Sequence, residues 1–87
     1  MELRHLRYFV ATVEAGTASG AAAGLHVTQP GLSRQLRDLE RDLGVDLFVR
    51  DGGRLKLSRT GRELLPLAAA VLGAERELRR AAGLQAL

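Results

Sequence analysis

The stretch at residues 28–44, TQPGLSRQLRDLERDLG, decides the fold, because its pattern predicts one amphipathic helix. Its leucines recur at intervals of four, three and four residues, which at about 3.6 residues per turn aligns them on one stripe that must be buried. They are Leu32, Leu36, Leu39 and Leu43. Thr28 is a good N-cap, Pro30 is tolerated in the first turn, and Gly44 supplies the C-terminal stop.

The face of this helix opposite the leucine stripe changes from basic to acidic along its length. Its N-terminal half is polar and basic, whereas Asp38, Glu40 and Asp42 all lie in the C-terminal half. The free N–H groups and the positive dipole end at the helix N-terminus also favour a phosphate. The outward residues are Pro30, Ser33, Arg34, Arg37 and Arg41. Such a face suits a DNA major groove, and the alternative is a charged surface helix above a leucine core stripe.

Two helices are predicted before this one. An apolar stripe over residues 2–15 predicts the first, which Gly16 ends, and it consists of Leu3, Leu6, Phe9, Val10 and Val13. Thr17 is the expected N-cap of a short second helix that ends at Leu25 and turns Ala18, Ala21, Ala22 and Leu25 inward. Only His26 and Val27 separate it from the Thr28 cap, which is the tight connection of a helix-turn-helix. We expect a positive φ at His26.

A β-hairpin and a long helix are predicted after Gly44. Residues 45–50 form one strand, 51–53 a turn and 54–57 the returning strand, with Leu55 and Leu57 facing the core. Ser58 is the expected cap of a helix that begins at Arg59 and is longer than a small domain needs. Its apolar stripe is most simply covered by a second copy of the chain, and the alternative is that it folds back onto its own domain. The stripe comprises Leu64, Leu65, Ala68, Val71, Leu72 and Leu78.

The distribution of charge indicates the class of partner. The chain has a net charge of +3, and residues 48–59 alone hold four basic residues against one acidic residue. A clustered basic patch is typical of nucleic-acid binding. An anionic membrane surface would attract it too, but the chain lacks the strongly hydrophobic amphipathic face that membrane binding needs. Without cysteine, a membrane-spanning apolar run or a signal-peptide pattern, the chain is expected to be cytoplasmic.

The residue inventory argues against catalysis. The sequence contains no nucleophile–base set with a supporting motif, no paired carboxylates in a plausible pocket and no phosphate-cradling glycine loop. His5 and His26 make no recognisable zinc site. We therefore expect that the chain is not an enzyme and that it binds no metal and no cofactor. A module built only for protein pairing is the stronger rival, and double-stranded RNA fits less well because its major groove is too narrow for this helix.

Three helices, a hairpin wing and a long final helix describe a mainly α, winged helix-turn-helix fold. The chain resembles the N-terminal DNA-binding domain and linker helix of LysR-type transcriptional regulators. The matching segments are residues 1–13 (MELRHLRYFVATV), 21–37 (AAAGLHVTQPGLSRQLR), 39–50 (LERDLGVDLFVR) and 57–66 (LSRTGRELLP). The resemblance implies a DNA-binding domain at residues 1–58, a linker and dimerisation helix at 59–87, and no effector domain within the chain.

The resemblance also implies a function. It predicts a transcription regulator that binds a partly palindromic operator as a homodimer, with the recognition helix in the major groove and the wing on the backbone or minor groove. A small-molecule inducer would act only through the missing effector domain. Bases are expected to be read by Gln29, Pro30, Ser33 and Arg34, and phosphates to be bound by Thr28 and Arg37. Arg50 and Arg54 of the wing would follow the backbone or enter the minor groove.

Overall fold

The computed structural model describes residues 1–51 and 54–86, which form four helices and one antiparallel pair of strands. In chain order these are α1 (Leu3–Ala15), α2 (Ala18–Leu25), α3 (Gln29–Leu43), β1 (Phe48–Asp51), β2 (Arg54–Leu57) and α4 (Arg59–Gln85). The predicted winged helix-turn-helix is confirmed. The turn expected at Gly52 and Gly53 lies outside the described residues.

The helix ends follow the capping residues predicted from the sequence. Each expected N-cap accepts a hydrogen bond from the backbone N–H three residues later: Thr17 from Gly20 at 3.1 Å, Thr28 from Gly31 at 3.1 Å and Ser58 from Gly61 at 2.8 Å. Gly16 and Gly44 end α1 and α3 in the left-handed conformation. His26 has a φ of 59°, which confirms the positive value expected in the turn between α2 and α3.

The core lies where α1, α2 and α3 meet the start of the wing. Leu32, Leu36 and Leu39 are fully buried, as the leucine stripe predicts. Phe9 of α1 meets Phe48 of β1 edge to face, with ring centroids 5.7 Å apart, so the wing is anchored on the helices. The prediction was wrong for Leu43, which is 40% exposed. It ends α3 and borders an apolar groove instead of the core.

Two polar side chains occupy buried positions on α1 where an apolar stripe was expected. His5 and Thr12 are buried, while Val10 and Val13 are only half-buried. His5 Nδ1 accepts a hydrogen bond from the Glu2 backbone N–H at 3.1 Å, and the Thr12 hydroxyl donates to the Tyr8 carbonyl at 2.7 Å. These local bonds satisfy the polar atoms, which removes the main cost of burying them.

The wing begins three residues later than the sequence predicts. Strand β1 starts at Phe48, and in the loop before it the N–H groups of Val45 and Leu47 donate to Glu40 of α3. Leu55 and Leu57 are half-buried and alternate with exposed residues, as expected for their inward positions. Arg50 is paired with Leu55 in the register. Paired residues share one face of a hairpin, so the Arg50 side chain lies on the side facing α3.

Helix α4 both packs on its own domain and extends beyond it. Ala68 and Leu72, two of the six residues expected in the dimer, are buried in the core, and Leu64 and Leu65 pack against it half-buried. Arg7 of α1 donates a hydrogen bond to Glu75 at 3.3 Å, and no described residue of α4 beyond Glu75 is buried. Val71 and Leu78 are exposed. The alternative in which α4 folds back onto its own domain therefore describes its first part, as far as Glu75, while association through Val71 and Leu78 stays a prediction.

Candidate nucleic-acid interface

The N-terminal half of α3 presents its polar face to solvent. Because Leu32, Leu36 and Leu39 are buried in the core, the opposite side of α3 points outward. Those exposed are Gln29, Pro30, Arg34 and Arg37, while Ser33 is half-buried. The Thr28 hydroxyl oxygen caps the helix and still has a proton to donate. This end of α3 thus combines the positive end of the helix dipole with two exposed arginines, Arg34 and Arg37.

A groove of about 160 Å³ separates this helix face from the wing. It brings together five of the eight residues predicted to bind DNA: Gln29, Ser33, Arg37, Arg50 and Arg54, with Ala18 and Leu55 completing the lining. The other three lie outside the groove but are exposed at the same, N-terminal end of α3: Thr28, Pro30 and Arg34. The methyl group of Ala18 leaves room at the groove where a larger residue would narrow it.

The basic side chains around this groove differ in how firmly they are held. Within residues 1–51 and 54–86, Arg34, Arg37 and Arg54 make no ion pair. Arg50 faces Glu40 at 3.6 Å, and Lys56 faces Asp51 at 3.8 Å across the exposed side of the wing. Three arginines are therefore available to an anion without breaking an existing ion pair.

Glu40 is a residue of this region that sequence reasoning missed. The pattern predicted only an acidic residue in the C-terminal half of α3, yet its carboxylate receives the backbone N–H groups of Leu47 and Phe48 and faces Arg50. One signal was present: position 40 follows Leu36 by four residues and Leu39 by one, so it borders the buried stripe. An acid at the edge of such a stripe needs a partner.

The remaining groups with chemical potential are not assembled into a site. His5 is buried in α1 and His26 is exposed in the turn. In the part of the chain that the structure describes, no three His, Cys, Asp or Glu side chains are close enough to hold a metal ion. Nor does any helix there combine the length and the apolar character needed to cross a membrane.

Comparison with solved structures supports the fold over nearly the whole chain. The chain is similar to the BenM DNA-binding domain in the crystal structure of its catB site 1 DNA complex, with a TM-score of 0.92 and 38% identity, covering 99% of this chain and 97% of that one. It is also similar to the CbnR DNA-binding domain in a DNA complex, with a TM-score of 0.83 and 42% identity, covering 95% and 99% respectively.

Sequence comparison identifies the family. The chain is 51% identical over 72 residues to the Hca operon transcriptional activator HcaR of Escherichia coli K12, covering 83% of this chain and 24% of that protein. It spans about a quarter of the length of such curated relatives. Residues 3–62 match the sequence model of the bacterial regulatory helix-turn-helix proteins of the lysR family. Because this match covers more than half of the chain, the chain belongs to the LysR family.

Proposed function

We propose that this chain is the sequence-specific, double-stranded DNA-binding part of a transcription regulator. The observation that carries the proposal is the groove between α3 and the wing, around which Arg37 and Arg54 are exposed without an ion pair in the described chain. Two relatives that share its fold, BenM and CbnR, are described in complexes with DNA through the corresponding domain. A major groove about 12 Å wide accepts an α-helix such as α3.

The proposed contacts follow from the chemistry of each side chain. Glutamine can pair in two ways with adenine and arginine with guanine, so Gln29 and Arg34 would read base edges. Pro30 offers an apolar edge to a thymine methyl group, and Ser33 can donate or accept a hydrogen bond. Thr28, Arg37, Arg50 and Arg54 would bind phosphates or, for the wing arginines, the minor groove.

Binding to a randomised duplex pool at several salt concentrations tests this proposal. Arg34→Ala is expected to weaken binding and relax the base preference at one position, since a bidentate pair discriminates by about 1–3 kcal/mol. Arg54→Ala should weaken all sequences alike and lower the salt slope by about 1. Arg76→Ala, on the distal half of α4, is the control for loss of one positive charge. An unchanged base preference in Arg34→Ala would contradict its role.

We further propose that two copies associate through α4 and bind a partly palindromic site. Leu67, Val71 and Leu78 are exposed by 62%, 44% and 70%. Their spacing of four and seven residues aligns them on one side of α4, beside the face that Ala68 and Leu72 turn toward the core. Water-exposed apolar residues aligned in this way are typical of a helix that pairs with another. A homodimer that binds no duplex DNA would instead support a module built only for pairing.

A further inference from the structure

The Glu40 side chain is largely withdrawn from solvent between α3 and the wing, with 12% of its surface exposed. Both carboxylate oxygens have partners. Oε2 accepts hydrogen bonds from the backbone N–H groups of Leu47 at 2.8 Å and Phe48 at 3.3 Å, while Oε1 lies 3.6 Å from Arg50 Nη2. This carboxylate therefore holds both the backbone at the start of the wing and a side chain of its first strand.

The same residue also organises the loop that precedes the wing. The Glu40 carbonyl accepts from the N–H groups of Gly44 at 2.8 Å and Val45 at 3.1 Å. Through its backbone and side-chain oxygens together, Glu40 accepts hydrogen bonds from four backbone N–H groups, those of Gly44, Val45, Leu47 and Phe48. Among the described residues, all hydrogen bonds and ion pairs that join α3 to residues 46–57 involve the Glu40 carboxylate.

Apolar contacts alone do not set the direction of the wing. Leu47 and Phe48 are buried and hold the base of the hairpin against the core. Burial of apolar surface is non-directional, whereas hydrogen bonds constrain both distance and angle. The carboxylate of Glu40 thus supplies the directional link between the recognition helix and the strand that bears Arg50.

We propose that Glu40 is a positioning residue for DNA recognition: it holds the wing at the angle at which α3 and the wing arginines meet the same duplex. The proposal rests on the DNA binding proposed above. Glu40 itself would not touch DNA, because its oxygens are occupied and its negative charge repels phosphate. Two possible roles of Glu40 predict opposite changes in the affinity for DNA when the residue is neutralised. If its charge alone mattered, its neutralisation would strengthen binding to DNA; if it positions the wing, neutralisation weakens binding.

Glu40→Gln and Asp38→Asn form a matched pair for the test, because each removes one negative charge from α3 without changing size. Asp38 pairs only with Arg41, at 3.2 Å, in the part of the chain described. The probe is a duplex selected from a randomised pool by the unmodified chain. Glu40→Gln removes the charge that faces Arg50 and weakens the charge-assisted hydrogen bonds from Leu47 and Phe48. It is expected to bind about tenfold more weakly, with a salt slope lowered by about 1 to 2 as wing phosphates are lost. Asp38→Asn should bind as tightly as the unmodified chain or more tightly.

Hydroxyl-radical footprinting distinguishes positioning from general destabilisation. Protection of the deoxyriboses under the wing should decrease in Glu40→Gln while protection of those beside α3 persists, and in an Arg54→Ala background the same substitution should cost less. Glu40→Asp keeps the charge but shortens the reach by one methylene, so it provides a second variant with the same expected loss if Glu40→Gln does not fold. Equal or tighter binding by a folded Glu40 variant, with an unchanged footprint, would overturn the proposal. Failure of the unmodified chain and Asp38→Asn to bind any duplex would overturn the DNA-binding function itself.

Discussion

Replacing either of two glycines of α4 with alanine should change the free energy of unfolding, but in opposite directions for the two positions. Gly61 is buried in the first turn, where its N–H donates to the Ser58 hydroxyl oxygen. A Cβ at this position would overlap the carbonyl oxygen of Leu47 and lie 2.7 Å from Leu57 Cδ1. Leu57 can rotate away, but the Leu47 carbonyl is held by the Ser58 N–H at 2.8 Å. The close approach of α4 to the loop before the wing therefore requires glycine.

Three contributions determine how much Gly61→Ala changes the free energy of unfolding. Alanine gains about 1 kcal/mol of helix propensity over glycine. Overpacking against a backbone atom costs roughly 1–3 kcal/mol, and the strained Ser58–Leu47 hydrogen bond costs about 1 kcal/mol more if it breaks. Gly61→Ala should therefore destabilise the chain by about 1–3 kcal/mol. At Gly73 the nearest atom to an added Cβ is the flexible end of Arg76, at 3.8 Å. Gly73→Ala should stabilise the chain by up to about 1 kcal/mol.

Urea unfolding followed by circular dichroism at 222 nm measures both free energies of unfolding. In a domain of this size, 1 kcal/mol corresponds to roughly 4–8 °C in melting temperature, so thermal melting provides a second readout. The comparison is best made at one protein concentration, because association would add to the apparent stability. If Gly61→Ala were as stabilising as Gly73→Ala, the close packing of α4 on the Leu47 carbonyl would be refuted.

Three further predictions concern the interface, the cap and the link between α1 and α4. Leu78→Glu should shift the chain toward the monomer in sedimentation equilibrium, whereas Ala69→Glu, on the opposite side of α4, should not; equal behaviour of the two would refute association through this face. Thr28→Ala removes the cap of α3 and should lower the free energy of unfolding by about 1 kcal/mol, measured by urea unfolding, while Thr17→Ala reports on the cap of α2 in the same way. Hydrogen bonding and charge from Arg79, with a further contribution from Arg7, lower the pKa of Glu75 below its ordinary value of 4.5. A carboxyl whose pKa is lowered by folding stabilises the protein above its unfolded pKa, and this is lost as the pH falls through the folded pKa. The unmodified chain should therefore be more stable than Glu75→Gln above pH 5, with a difference that shrinks on acidification below about pH 4.5 in melting temperatures measured against pH; a difference independent of pH would contradict it.

The two parts of α4 have different roles because of what lies beside them. Near Ala68 and Leu72 the helix closes the core of the winged domain, and Arg7 holds it to α1 at Glu75. Beyond Glu75, the side chains of α4 that the structure describes are exposed. A boundary between domain and linker at residue 58, as expected from the sequence, would divide the core. We therefore propose that a stable DNA-binding unit includes α4 at least as far as Glu75.

Local sequence signals determined the helices, their ends and the leucine stripe of α3, because caps, left-handed turns and helical periodicity depend on residues within a few positions of one another. Thr28, His26 and Gly44 could be assigned in this way without any knowledge of the fold. Only the tertiary structure decided the features that depend on distant segments. These are the exposure of Leu43, the start of β1 at Phe48, the burial of Ala68 and Leu72 in the core, and the hydrogen bonds from the wing to Glu40. A carboxylate in a sequence has no visible partner, and its role here arises only because the chain returns the N–H groups of Leu47 and Phe48 to within hydrogen-bonding distance.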